Sequence, residues 1–197
     1  MPSKRPANRS VKTATATSRS VGVRAAKAPA RRPRAAPRAT AAAAPSAHEQ
    51  WEGFLAKFDP PVAAVGRAAV KRLRGLFPTA NVVVYDNYNA LVAGFVPGDR
   101  PSEAIVSIAV YPRYASLCFL QGSGLPDPHQ RLKAFGKLVK FLRLEPETGG
   151  VKRLDDPQIR DLLELAAASA KVPFASSGKG AFTIRSISAK QRPRRAG

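Results

Sequence analysis

Between Val82 and Leu120 the chain places four short apolar runs, at 82–85, 91–96, 104–111 and 115–120. Turn residues separate them: Asp86-Asn87, then Pro97-Gly98-Asp99-Arg100-Pro101, then Pro112-Arg113. A crossover between parallel strands takes a dozen or more residues, and these links are shorter. The four runs are therefore predicted to pair as an antiparallel meander.

Helical periods flank this section. Trp51, Phe54, Leu55 and Phe58 recur on one face, and Ser46 with Glu49 three residues later has the spacing of a capping box. Pro60-Pro61 breaks that helix. A second is predicted from Pro61 to about Leu76, with Val62, Val65, Ala69, Leu73 and Leu76 as its stripe and Arg67, Lys71, Arg72 and Arg74 on its polar side. After the loop marked by Gly122, Gly124 and Pro126, Asp127-Pro128 is predicted to start a short helix ending near Phe135. Leu138–Leu144 alternates apolar and basic residues, as a half-exposed strand does. Asp156-Pro157 opens a last helix carrying Ile159, Leu162, Leu163, Ala166 and Ala167, and 181–187 returns as a strand. The fold class expected is α+β, a mostly antiparallel sheet covered by helices.

Charge divides the 197 residues differently. Residues 1–48 hold 11 Lys/Arg and no acid, 49–170 hold 15 Lys/Arg against 13 Asp/Glu, and 171–197 hold 7 Lys/Arg and no acid. The formal +20 thus belongs mostly to the ends of a nearly neutral body. Residues 1–47, rich in Ala, Pro and Arg and without aromatics, are expected to be a disordered basic arm, because they bury too little apolar surface to offset backbone entropy. The domain boundaries expected are 1–47 for the arm, 48–188 for the α+β body and 189–197 for a basic C-terminal tail. Arg31, Arg32, Arg34 and Arg38 in the arm, and Lys190, Arg192, Arg194 and Arg195 in the tail, are the candidate polyanion contacts. Such groups neutralise phosphates and release counterions without reading bases. The bland alternative is a solubilising tail.

No apolar segment follows the basic N-terminus as in a secretory signal, and no stretch approaches the ~20 residues of a membrane span. The prolines of the arm argue against an amphipathic transit helix. A cytoplasmic protein without a membrane partner is expected. Cys118 is the single cysteine, which excludes an intramolecular disulfide and a multi-cysteine zinc site. Within Ala115–Leu120 it reads as a buried small hydrophobe.

The body resembles the YdhG-like family of small bacterial proteins, a domain of unknown function. The resemblance spans about Trp51 to Ser188. It rests on early helices ending at Phe77-Pro78, Tyr85 and the strand-rich middle, Ser116–Leu120, and the loop Gly122–Asp127. Gly136-Lys137 followed by Phe141–Leu144, the helix that starts Asp-Pro, and the closing Ile184–Arg195 complete it. It implies an α+β fold with a mostly antiparallel sheet covered by helices, and no defined chemistry. Some members are described as frataxin-like iron chaperones, which would imply iron on an acidic surface. Here the first helical region offers Glu49, Glu52 and Asp59 and the second only basic residues, so the acids are spaced too thinly to cluster oxygen ligands.

The candidate ligand site joins all four tyrosines, Tyr85, Tyr88, Tyr111 and Tyr114, to Asp86 and Asn89. Tyrosines at strand ends offer flat apolar area and a hydroxyl, although they serve equally to pack strand edges. Lys137, Lys140 and Arg143 do not share one face at a two-residue period and read as solvated. Ser176–Gly180 lacks the spacing and the following helix of a phosphate-binding loop. His48 and His129 have no partner at metal or catalytic spacing. No catalytic residue, metal ligand or cofactor is assigned, and an enzyme is the less favoured reading. The function expected is a non-enzymatic binding or interaction module: the body takes an unknown small molecule or protein, and the tails touch nucleic acid or another polyanion non-specifically. The alternatives are a nucleic-acid or nucleoid accessory protein, a frataxin-like iron chaperone and an unrecognised enzyme.

Overall fold

The computed structural model describes residues 44–195. The arm's Arg31, Arg32, Arg34 and Arg38 lie outside the described residues. Helix α1 spans Ala47–Leu55 and begins on the expected box: the Glu49 amide donates to Ser46 Oγ at 3.2 Å, and the Ser46 amide donates to Glu49 Oε2 at 2.7 Å. The same contacts hold the Glu49 carboxyl below its ordinary pKa. Helix α2 spans Pro60–Leu76, with Pro60 and Pro61 in its first turn, where a missing N–H costs nothing. Helix α3 spans Pro157–Ala168, and the Asp156 carboxylate caps it by accepting from the Gln158 amide at 3.0 Å.

Among the described residues seven strands form one sheet. They are β1 Asn81–Asp86, β2 Leu91–Val96, β3 Val106–Val110, β4 Ala115–Phe119, β5 Lys133–Phe135, β6 Val139–Leu144 and β7 Phe182–Ile187, in the order β5-β6-β4-β3-β2-β1-β7. The meander β1–β4 is antiparallel throughout, as its short links require. β7 pairs with β1 in parallel, which gives a mixed, mostly antiparallel sheet. No helix among the described residues is long and apolar enough to cross a membrane.

The helix expected after Asp127 is a correction. Residues 133–135 form β5, the outer strand of a hairpin with β6. Asp127 does cap, but it caps a turn: its carboxylate accepts from the amides of Arg131 and Leu132, both at 2.9 Å. Gly136, with φ +67°, then reverses the chain in a conformation that costs other residues a clash at Cβ. The local proline and cap signals were real, and strand pairing with β6 decided the outcome.

Strands β1–β4 and β6 alternate, while the pairing of β7 with β1 shifts register between Val84 and Tyr85. Val82, Val84, Leu91, Ala93, Phe95, Val106, Ile108, Val110, Leu117, Phe119, Leu142 and Leu144 point to one side, where they form the core with Trp51, Leu55, Leu73, Ile159 and Leu163 of the helices. Each large side chain removed from water there contributes roughly 1.5–3 kcal/mol before conformational entropy is counted. All three helices lie on this side. Trp51, 1% exposed, meets Phe182 of β7 edge-on at 6.2 Å. The opposite side of the sheet carries no helix among the described residues.

Candidate functional site

Strand register decides what the uncovered side displays. One row runs Tyr85, Val92, Ala109, Ser116, Arg143 across β1, β2, β3, β4 and β6. The next runs Val83, Gly94, Ser107, Cys118, Phe141, Lys133. Small residues therefore make the floor, and larger ones stand at the margins. Ser107, Ala109 and Ser116 are buried although no helix covers them, while Val92, Cys118 and Phe141 are half-buried. Tyr111 and Tyr114 close one end of the meander. They flank the β3–β4 turn, the Tyr111 amide donates to the Tyr114 carbonyl at 2.8 Å, and their rings lie 5.1 Å apart. The Arg143 guanidinium sits 4.4 Å from the Tyr114 ring centre and 3.3 Å from Glu145. At the other margin Phe135 is 70% exposed.

The electrostatics of this face are one-sided. Among the described strands the sole carboxylate is Asp86, and it points to the helix side. Lys133 and Arg143 supply positive charge on the uncovered side. Burial pushes the Tyr111 phenol above its ordinary value, and Cys118 and Tyr114 act in the same sense. Burial also pushes the Cys118 thiol up to about 11, against a lowering hydrogen bond with Ser107. This cysteine stays a neutral thiol at neutral pH, which makes it a poor nucleophile.

The structure divides the six residues of the candidate ligand site. Tyr85, Tyr111 and Tyr114 share the uncovered face. Tyr88 and Asn89 stand exposed at the tip of the β1–β2 turn. Asp86 turns to the helix side and is 1% exposed. There it accepts from Lys57 Nζ at 3.0 Å, Gln191 Nε2 at 2.5 Å and Arg194 Nη2 at 2.7 Å. Asp86 is thus an internal anchor of the fold.

Arg194, placed in the tail set by its charge, is the partner that buries with it. Its side chain is 3% exposed, it also donates to the Asn87 carbonyl, and it lies over the Phe58 ring at 5.3 Å. The aromatic face accounts for a guanidinium whose Nε and Nη1 find no acceptor among the described residues. Lys190, Arg192 and Arg195 remain exposed. Residues 189–194 are consequently docked to the body, with the Arg192 amide donating to the Tyr88 carbonyl at 3.0 Å.

Other expectations resolve simply. Lys140 and Arg143 lie on opposite faces, and Lys137 sits in the β5–β6 turn. His48 stacks on Phe182 at 5.4 Å, and His129 is exposed. Ser176–Lys179 is an exposed connector, and Gly180 leads it into β7 with its amide donating to the Pro78 carbonyl at 3.0 Å. Among the described residues no three His, Cys, Asp or Glu side chains stand together as a metal site. A cavity of about 420 Å³ opens between Ser102–Ile105, the loop around Leu125 and the C-terminal end of α3. It lies on the helix side, away from the tyrosines, and no sequence signal pointed to it. Phe135 and Lys133 were also missed as members of the open face, because the helix expected over 128–135 hid the hairpin, and Phe141 was placed on the expected strand without being assigned to a site. No family model, curated protein or solved structure matches this chain.

Proposed function

We propose that this protein is a non-enzymatic cytoplasmic binding module, in which the open face of the sheet recognises a ligand and the basic arm adds non-specific affinity for polyanions. We also propose that its body is a member of the YdhG-like family, a reading supported by two helices ahead of an antiparallel meander and a helix opened by Asp-Pro. The observation that carries the function is the segregation of charge: 11 basic and no acidic residues in 1–48, against near balance in 49–170. A folded body with scattered, paired charges has little use for such an arm unless its partner is anionic. Arg67–Glu52, Arg72–Asp155 and Arg131–Asp156 are examples of that pairing. The docking of Arg194 leaves the arm as the denser cationic segment.

The test compares residues 1–197 with 48–197 for binding of labelled duplex DNA by fluorescence anisotropy across a salt series. The shortened chain keeps the described elements but loses Ser46 and Ala47 at the start of α1, so thermal unfolding of both chains checks first that the body stays folded. Duplex binding is expected in the full chain alone, with log Kd changing against log salt by about 0.9 for each phosphate neutralised. Equal duplex binding by the shortened chain would refute the role given to the arm.

A further inference from the structure

The uncovered face combines three properties. First, it is aromatic: Phe135, Phe141, Tyr85 and the Tyr111–Tyr114 pair all project from it. Second, it bears cations without strand carboxylates, since Asp86 is turned away and Glu145, beyond β6, is paired with Arg143. Third, its floor is built of the small residues Ser107, Ala109 and Ser116 between larger ones at the margins, and the 420 Å³ cavity is on the other side. A large exposed phenylalanine on a face without strand carboxylates is costly in water and useful to a partner that has both flat apolar surfaces and negative charge.

Few partners have both. A duplex hides its base faces by stacking, and an anionic lipid surface presents no rings. Single strands expose bases that stack on aromatic side chains, and their phosphates seek Lys and Arg. We propose that the open face of the sheet binds single-stranded nucleic acid, with bases stacked on Phe135, Phe141 and the Tyr111–Tyr114 pair, and phosphates held by Lys133 and Arg143. Arg143 already lies on the Tyr114 ring, so it stiffens that platform as well as adding charge. The assignment rests on the reading of this chain as a binding module and names the ligand class of its open face. It is independent of the arm, which is blind to strandedness.

The experiment uses the full chain and two fluorescein-labelled probes, an oligouridylate of about 12 nucleotides, within the usual range of site sizes, and a duplex DNA of the same length. Phe135→Ala changes no charge, and its exposure makes it harmless to folding. Its affinity for the oligouridylate is expected to fall roughly five- to hundredfold, with the salt slope unchanged and duplex affinity within about twofold, since phosphate contacts are untouched. Tyr114→Ala is expected to behave alike. Phe135→Trp supplies a direct reporter: its indole is quenched by the oligouridylate and not by the duplex, while Trp51 stays buried as a constant background.

Unchanged oligouridylate affinity in Phe135→Ala and Tyr114→Ala would overturn the proposal while leaving the arm's polyanion contact intact. Equal losses on both probes would overturn it too, because stacking cannot weaken a duplex contact. A dimer that dissociates on Phe135→Ala, with oligouridylate affinity unaltered, would reassign the face to pairing of two copies. Absence of binding to either probe at low salt would remove both this assignment and the role of the arm.

Discussion

Cys118 shows how far burial alone sets chemistry at a single residue. Its thiol is ordinarily lost as a proton near 9.0 and here is held to about 11 by desolvation. The folded chain thus binds that proton more tightly than the unfolded chain. The resulting stability is fully present below pH 9 and is lost as pH rises toward about 11. The loss amounts to roughly 2 kcal/mol, and Tyr111, raised in the same sense, adds to it. Urea unfolding measured at intervals across that window is expected to show the decline, and Cys118→Ala is expected to flatten it. A decline of the same size in the variant would show that other groups govern the alkaline limb. The apolar neighbours Leu117 and Phe119 of Cys118 predicted a buried residue, and the structure leaves it half-buried on the uncovered side of β4. The raised phenol of Tyr111 was not legible in the sequence, because it depends on the packing across β3 and β4.

At the scale of elements, α2 owes its closeness to the sheet to one glycine. A Cβ on Gly66 would stand 2.8 Å from Val110 Cγ2 and 3.4 Å from Leu55 Cδ2. Val110 is fully buried and too short to move its methyl aside without lifting the helix. Gly66→Ala therefore gains about 1 kcal/mol of helix propensity and loses roughly 1–3 kcal/mol to overpacking, a net fall in Tm. Gly75, on the same helix, faces open space. Gly75→Ala is expected to raise Tm, by something under 1 kcal/mol so near the helix end. Thermal unfolding of the two variants checks both signs, and a stabilised Gly66→Ala would mean that the α2–β3 contact is looser than described. The three helices and six of the strands were legible, since hydrophobic period and caps are local. β5 was not: three exposed residues hold no periodic signal, and their strand character comes from β6, beyond the reach of any short window. The candidate ligand set is divided between the faces for a related reason. Tyr85 and Asp86 are neighbours in sequence, and strand alternation sends them to opposite sides of the sheet.

Across the whole molecule, Asp86 gathers regions that the sequence keeps apart. Lys57 comes from the link after α1, Asp86 from the end of β1, and Gln191 and Arg194 from the segment after β7. Nothing local to Arg194 distinguished it from Arg192 or Arg195, and the same +1 charge served for a surface contact or an internal one. Removing one member of a buried pair strands the other: Arg194→Ala and Asp86→Ala are each expected to cost about 3 kcal/mol. The double variant should cost less than the sum by roughly 1–3 kcal/mol. Urea melts followed by Trp51 fluorescence suit this measurement, because Trp51 contacts β7 through Phe182. Strictly additive losses would mean that the two groups do not stabilise the fold through each other. The same arrangement has a further consequence. β7 hydrogen-bonds to β1 at one edge of the sheet, is gripped by α1 and by the Asp86 cluster, and reaches α3 through the connector 169–181. A cut in that connector would leave two fragments able to reassemble without a covalent bond. At high concentration the terminal strand of one molecule would fit the place vacated in another, an exchange that joins two copies using contacts each already makes within itself.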